Sequence, residues 1–222
     1  METRAGRYAD VLLGPSPREA RRAAFGLLED GLQPRALYLD VLGPALGEVG
    51  SRWQRGLITV AQEHLATAIV TSVMATVAPR LTVASQLTDS PATGRRAVLA
   101  CTESELHDVG LRMVGDFLEA DGWEVLFLGA LTPSDALQRL VAETAPDVVG
   151  LSTALTTHLA SASDAIAAIR QLETPPFVMV GGQAYGNDAG VALGIGADVL
   201  LADAGAASAL LRERFGSAPR PT

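Results

Sequence analysis

The sequence predicts a helical bundle followed by an α/β domain with a five-stranded parallel sheet covered by helices on both faces. Two observations carry this. Apolar residues recur at helical spacing from residue 17 to about 84, and beyond residue 96 five short aliphatic segments alternate with helix-length ones. A chain of 222 residues that is 48% apolar can build a core in each part.

The first predicted helix, Pro17 to Glu29, has Ser16 as cap and proline at its first position. The second runs from Pro34 to Gly50 with an extension through Trp53, and the third from Thr59 to Val77; Asp30-Gly31 and Arg55-Gly56 supply the breaks. Leu39, Leu42 and Leu46 form one apolar face, and Leu65, Ile69 and Val73 another, so the helices bury each other in a four-helix-type bundle. Composition then shifts to Thr-Asp-Ser-Pro-Ala-Thr-Gly-Arg, which marks a linker. The expected domains are 1–86, a linker at 87–95, and 96–222.

Strands are predicted at Ala97 to Ala100, Glu124 to Leu128, Val148 to Leu151, Phe177 to Val180 and Asp198 to Leu201. Their Val, Leu, Phe and Met content suits strands covered on both faces. Leu111 to Ala120, Pro133 to Glu143 and Ala160 to Leu172 are long enough for right-handed crossover helices. Phe215 to Thr222 reads as a frayed terminus.

Charge and composition exclude several functions. The formal charge of −8 and the absence of a basic cluster argue against direct nucleic-acid binding. Cys101 is the sole cysteine, so neither an internal disulfide nor a thiolate cluster forms. No uninterrupted apolar run reaches about 18 residues and no signal segment opens the chain, so a soluble cytoplasmic protein is expected. Neither a Gly-x-Gly-x-x-Gly after the first strand nor a phosphate-loop motif is present.

The chemistry concentrates at Glu105-Leu106-His107-Asp108-Val109-Gly110, after the first strand, where such sheets bind ligands. The dipole of the following helix favours a neutral His107 ring. Glu105 or Asp108 can accept a hydrogen bond from one ring nitrogen and leave the other to a metal or a proton, while Gly110 leaves room at the backbone. A helix-capping histidine is the plain alternative. A protein-built zinc site would need His64 and His158 to converge from separate segments, whereas one imidazole suffices for a metal delivered in a macrocycle. Ser152, Ala154 and Thr156 follow the third strand and Gly181-Gly182 the fourth, so all share the sheet edge with His107. The serine and threonines can equally cap a helix. In the bundle, Trp53 precedes a loop around Gly56, and Glu63 and His64 follow it. These three either approach a ligand from successive helices or form an ordinary amphipathic edge.

Over about residues 17 to 212 the chain resembles cobalamin-binding modules that join a helical cap to a flavodoxin-like domain. Glu105 to Gly110 matches the family's Asp-x-His-x-x-Gly signature except at its first residue; Ser152 matches the serine of Ser-x-Leu, with Ala154 in place of leucine; Gly181-Gly182 matches the closing glycine pair. The resemblance implies that His107 ligates cobalt from below, and that the nucleotide tail enters a channel near Ser152 and Gly181-Gly182. Trp53 followed after nine residues by Glu63-His64 resembles light-responsive adenosylcobalamin regulators of the CarH class. It implies that Trp53 and Glu63 shape the adenosyl pocket between bundle and sheet, and that His64 ligates cobalt from above after light breaks the cobalt–carbon bond. The winged-helix DNA-binding domain of that class is expected to be absent, since fewer than about 20 residues precede the bundle.

The function expected from this resemblance is a stand-alone light sensor or signalling protein, not an enzyme, working through a downstream regulator and with a homo-dimer or higher oligomer open to it. A corrinoid methyl carrier serving separate methyltransferases is the main rival. A binding protein for another tetrapyrrole, such as biliverdin or haem, is the third reading.

Overall fold

The computed structural model describes residues 3–86 and 93–216, with side chains of 82–86 left aside. The chain forms two compact units, Met1–Ala84 and Ser85–Thr222. Residues 87–92 of the expected linker, and all of the expected frayed terminus beyond Gly216, lie outside the described residues.

The first unit opens with a helix that the sequence reading missed, α1 (Arg4–Leu12), capped by the Thr3 hydroxyl accepting from Gly6 N–H at 3.0 Å. Its signal was present, since Ala5, Tyr8, Ala9 and Leu12 follow helical spacing and all are buried. Helix α2 (Pro17–Glu29) has the predicted bounds, and Ser16 Oγ accepts from Glu19 N–H at 3.2 Å. The second predicted helix is a continuous rod of α3 (Pro34–Leu37), a π turn (Tyr38–Leu42) and α4 (Gly43–Gln54). The wider π turn shifts the buried face. Leu37, Val41, Ala45 and Val49, four residues apart, are fully buried together with Leu42, whereas Leu39 and Leu46 of the expected face are only half-buried.

Helix α5 (Val60–Gln86) runs nine residues past the predicted end at Val77 and carries Pro79 inside it. A proline forfeits one backbone hydrogen bond but does not always end a helix. The α5 core face is Ala66, Ile69, Val70, Val73, Met74, Val77 and Leu81; Leu65, expected on it, is exposed. Tyr38 Oη donates to the Met74 carbonyl at 3.1 Å, tying the π turn to α5. Val60–Leu81 is long and apolar enough by composition to cross a membrane, unlike what uninterrupted runs suggested; its larger apolar residues from Ile69 to Leu81 belong to this buried face, while Val60 and Leu65 are exposed.

In the second unit, β1 (Arg96–Cys101), β2 (Glu124–Gly129), β3 (Val148–Ser152), β4 (Phe177–Gly181) and β5 (Val199–Leu201) form a wholly parallel sheet of order β2-β1-β3-β4-β5. Crossovers run through α6 (Val109–Ala120), α7 (Ser134–Thr144), α8 (Leu159–Arg170) and α9 (Ala189–Gly194), and α10 (Ala204–Phe215) follows β5. Period-two alternation sends Ala97, Leu99 and Cys101 to a core with Leu111, Leu118, Ala207 and Leu211. Val98 and Ala100 face the opposite core with Leu137, Val141, Ala165 and Ile169. This is the flavodoxin-like architecture expected from the resemblance.

Two details depart from expectation. Asp198 lies outside β5 and instead accepts the Val178 N–H at 2.7 Å and pairs with Arg170 at 2.8 Å. Phe215, expected to fray, is the last residue of α10; its ring sits edge-on to Trp123 at 5.5 Å and its carbonyl accepts from Arg95 at 2.9 Å.

Candidate functional site

In this strand order the connections from β1 and β3 leave toward opposite faces, opening a crevice at their carboxyl ends. One register row spans that edge: Cys101 beside Ser152, Ser152 beside Gly181, and Gly181 beside Leu201. The loop after β1 is drawn to β3 by Thr102 N–H donating to the Ser152 carbonyl at 3.2 Å, and turns through Ser104 at φ +71°. Few non-glycine residues adopt that region, and such strain gathers at functional loops.

Glu105 is fully buried at the centre of this crevice. Its Oε1 accepts the N–H groups of Leu106 and His107, each at 3.0 Å, and the His107 ring Nδ1–H. Its Oε2 accepts the N–H groups of Ala154 at 2.8 Å and Leu155 at 3.2 Å, and the His158 Nδ1–H at 3.0 Å. Burial alone would raise this carboxyl, but the donors, the His107 ring foremost, outweigh it and hold the pKa down at about 2. One carboxylate thus staples the β1–α6 loop to the β3–α8 loop.

Because an ionised carboxylate only accepts, Nδ1 of His107 carries the proton that faces Glu105, and the ring's other nitrogen, Nε2, points away from that contact. The ring is 51% exposed, so Nε2 is open to a ligand. Three exposed leucines from three different loops, Leu106, Leu131 and Leu155, are tied to Glu105 by their backbone N–H groups. Leu131 is held at φ +56° while its N–H donates to the Glu105 carbonyl at 3.0 Å. An exposed imidazole on the same sheet edge as exposed apolar side chains suits a ligand with an apolar face that bears a metal. Of the two carboxylates proposed to orient the ring, Glu105 does so; Asp108 instead faces Arg112 at 3.4 Å. Behind the loop, burial first and the Asp108 and Glu105 charges second push the Cys101 thiol up to about 12.

A cavity of about 170 Å³ opens along the same edge, lined by Gly110, Leu111, Ser152, Gly181, Gly182 and Asp203 among others. A Cβ at Gly110 would meet nothing within 4 Å, so the α6 side stays open, whereas at Gly182 (φ +116°) it would fall 2.1 Å from the Thr153 carbonyl oxygen. Gly150 in β3 is constrained less severely, its Cβ position lying 2.6 Å from Cδ2 at the end of the Leu99 side chain. The cavity is a slot with apolar walls and few polar groups, a shape that accepts a flat heterocyclic tail.

The predicted sheet-edge residues therefore divide by role. Gly110, Ser152, Gly181 and Gly182 line one cavity; Glu105 and His107 are bonded to each other; Ala154 takes part through its backbone; Thr156 is exposed in a 3₁₀ turn at Thr156–His158. In the first unit, Trp53 near the end of α4 is exposed, and Gly56 turns the chain at φ +69°. Near the start of α5, His64 Nδ1 meets Glu63 Oε2 at 2.7 Å, Thr67 Oγ1 donates to Glu63 Oε1 at 2.9 Å, and the His64 side chain is 74% exposed.

Sequence reasoning weighed His158 only as a zinc ligand and passed over its contact with Glu105. It also missed the buried hydroxyl chain in which Thr153 Oγ1 lies 3.4 Å from Thr102 Oγ1 and 3.2 Å from Tyr185 Oη. Position at the carboxyl ends of β1 and β3 was the available signal for both. Among the described residues no group of three or more His, Cys, Asp or Glu is placed to hold a metal ion.

Residues 6–77 match one B12 binding domain profile and residues 95–211 another. The chain is 37% identical over 141 residues to the HTH-type transcriptional repressor CarH of Myxococcus xanthus, covering 63% of this chain but only 44% of that protein. It is 26% identical over 204 residues to dimethylamine corrinoid protein 1 of Methanosarcina acetivorans, covering 88% of this chain and 90% of the relative. The monomethylamine corrinoid protein of Methanosarcina barkeri shares the fold, with a TM-score of 0.81 at 18% identity over 94% of this chain and 96% of that one. With the second profile spanning more than half its length, the chain belongs to the B12 binding domain family.

Proposed function

We propose that the chain is a corrinoid carrier that holds cobalamin through His107 Nε2 and presents it to a separate methyltransferase. The observation carrying this is the fully buried Glu105, which engages His107 Nδ1 and leaves the ring half-exposed on the sheet edge that also holds the cavity. In this reading the nucleotide tail occupies the slot bounded by Gly110, Ser152 and Gly181-Gly182, and Leu106, Leu131 and Leu155 pack beneath the macrocycle. Cobalt in such a ring supplies a metal–carbon bond that can be made and broken. The protein's part is to set the axial nitrogen, exclude water from the lower side and hold the ring proton on Nδ1. The near full-length likeness to dimethylamine corrinoid protein 1 supports a carrier role.

The test is uptake of hydroxocobalamin and methylcobalamin by the purified apoprotein, followed by absorbance. A spectrum of cobalamin with its own base displaced is expected, lost in His107→Ala. An unchanged spectrum in that variant overturns the reading.

A second reading, an adenosylcobalamin light sensor, is favoured by the exposed Trp53 and the Glu63–His64 pair and by the likeness to CarH. There Trp53 and Glu63 contact the upper ligand, and His64 replaces it after illumination. Green light then changes the spectrum of the adenosylcobalamin-loaded protein, and His64→Ala blocks the final imidazole-ligated form. Methyl turnover with a methyltransferase and no light response leaves the carrier.

A further inference from the structure

We infer that Asp121, Ser208 and Arg212 form a clasp, set toward the amino edge of the sheet, that governs how readily the cavity at the carboxyl edge opens. That the opening admits a nucleotide tail rests on the corrinoid reading above; the opening itself does not.

Helices α6 and α10 cover one face of the sheet together and give the cavity two of its walls, Gly110, Leu111 and Val114 from the first and Asp203 and Ala204 from the start of the second. The ties between them gather toward the other end. Asp121, the C-cap of α6, accepts the Ser208 hydroxyl on Oδ2 and an Arg212 N–H on Oδ1 at 3.3 Å, and Arg212 also donates to Ser208 Oγ at 3.1 Å. Beyond them the Trp123 and Phe215 rings meet edge-on.

Neither Asp121 nor Ser208 serves its own helix. A carboxylate at a helix C-terminus opposes the dipole, and a serine inside a helix is a poorer choice than the alanines around it. Yet Ser208 is 2% exposed and the Asp121 side chain 14%. The bond between the helices accounts for both. A hydrogen bond to a charged group shifts an equilibrium about 10- to 100-fold. Packed helices move as rigid bodies, so two fastened toward one end part most easily at the other. A group larger than the cavity of about 170 Å³ enters once the first turns of α6 and α10 separate. The clasp therefore sets the fraction of molecules that stand open, and with it the rates at which a ligand enters and leaves.

Cys101, the sole cysteine, is wholly buried in the core that Leu111 and Ala207 help to close. Its reaction with 5,5′-dithiobis(2-nitrobenzoate) times the opening in apoprotein, without any cofactor. Ser208→Ala and Asp121→Ala should each speed that reaction about 10-fold or more. The double variant should be little faster than either, since both changes remove the same bond. Low urea should scarcely alter these rates, because a local opening exposes little surface. Gln138→Ala removes a 2.7 Å bond from α7 to the Ala168 carbonyl of α8 on the opposite face and should leave the rate unchanged. Hydroxocobalamin, followed by stopped-flow absorbance, should both associate and dissociate faster in the clasp variants.

Unchanged labelling in folded clasp variants, additive effects, a steep urea dependence or an equal rise in Gln138→Ala overturns the inference. Where circular dichroism shows that an alanine variant fails to fold, Arg212→Gln, at a side chain 57% exposed, should show the acceleration, and a wild-type rate there overturns it. If wild type takes up no cobalamin the corrinoid reading itself fails, and thiol labelling still decides whether the clasp holds the cavity shut.

Discussion

Glu105 concentrates more of the site's order than any other side chain described. Six donors from two loops end on it, and removing its charge leaves several part-buried N–H groups facing an amide that can no longer accept from all of them. Each unsatisfied buried donor costs about 1–3 kcal/mol. Glu105→Gln should therefore lower the melting temperature of the apoprotein and weaken hydroxocobalamin uptake about 10-fold or more, measured by calorimetry and absorbance titration. Much of the site's geometry was legible from sequence: a histidine flanked by a carboxylate and a glycine, just past a strand, points to the loop where Glu105 and His107 are bonded to each other. The contact of His158 was not legible, because 53 residues separate it from Glu105 and only the β1–β3 pairing brings them together.

At the scale of elements, the parallel sheet was readable to within a residue or two at each strand, since strands buried on both faces announce themselves as aliphatic runs. The bundle was harder. Helix α1 is short and rich in arginine and alanine, and the π turn breaks the 3.6-residue period on which the face assignment relied. Two predictions belong here. Gly182→Ala drives a Cβ into the Thr153 carbonyl at a backbone angle closed to alanine. Strain and overlap together cost about 3 kcal/mol, which calorimetry should register as a melting point lower by roughly 10 °C. Tyr8, whose hydroxyl donates to the Ala20 carbonyl at 3.2 Å, is pushed by burial to a pKa of about 12. A phenol with a raised folded-state pKa contributes its full share of stability below the unfolded value, about 10. That share is lost as pH climbs through the folded one. Helical circular dichroism should accordingly decline between about pH 10 and 12, and Tyr8→Phe should lessen the decline.

For the molecule as a whole, the acidic balance and the division into two compact units set the expected behaviour. Cobalamin that binds only the folded protein stabilises it by mass action, about 2.7 kcal/mol at a hundredfold excess over Kd. Calorimetry of loaded and empty protein should show the difference, and His107→Ala should abolish most of it. The π turn at Tyr38–Leu42 has a consequence reaching beyond its own five residues. Every position in an α-helix is set about 100° around the axis from the last, so one surplus residue upstream re-aims everything that follows. Trp53 lies eleven residues downstream on the same rod, and deleting a single residue from the turn would swing that indole about a quarter-circle away while leaving its chemistry untouched. The azimuth of the bundle's exposed aromatic is thus written in a stretch of chain it never touches in sequence.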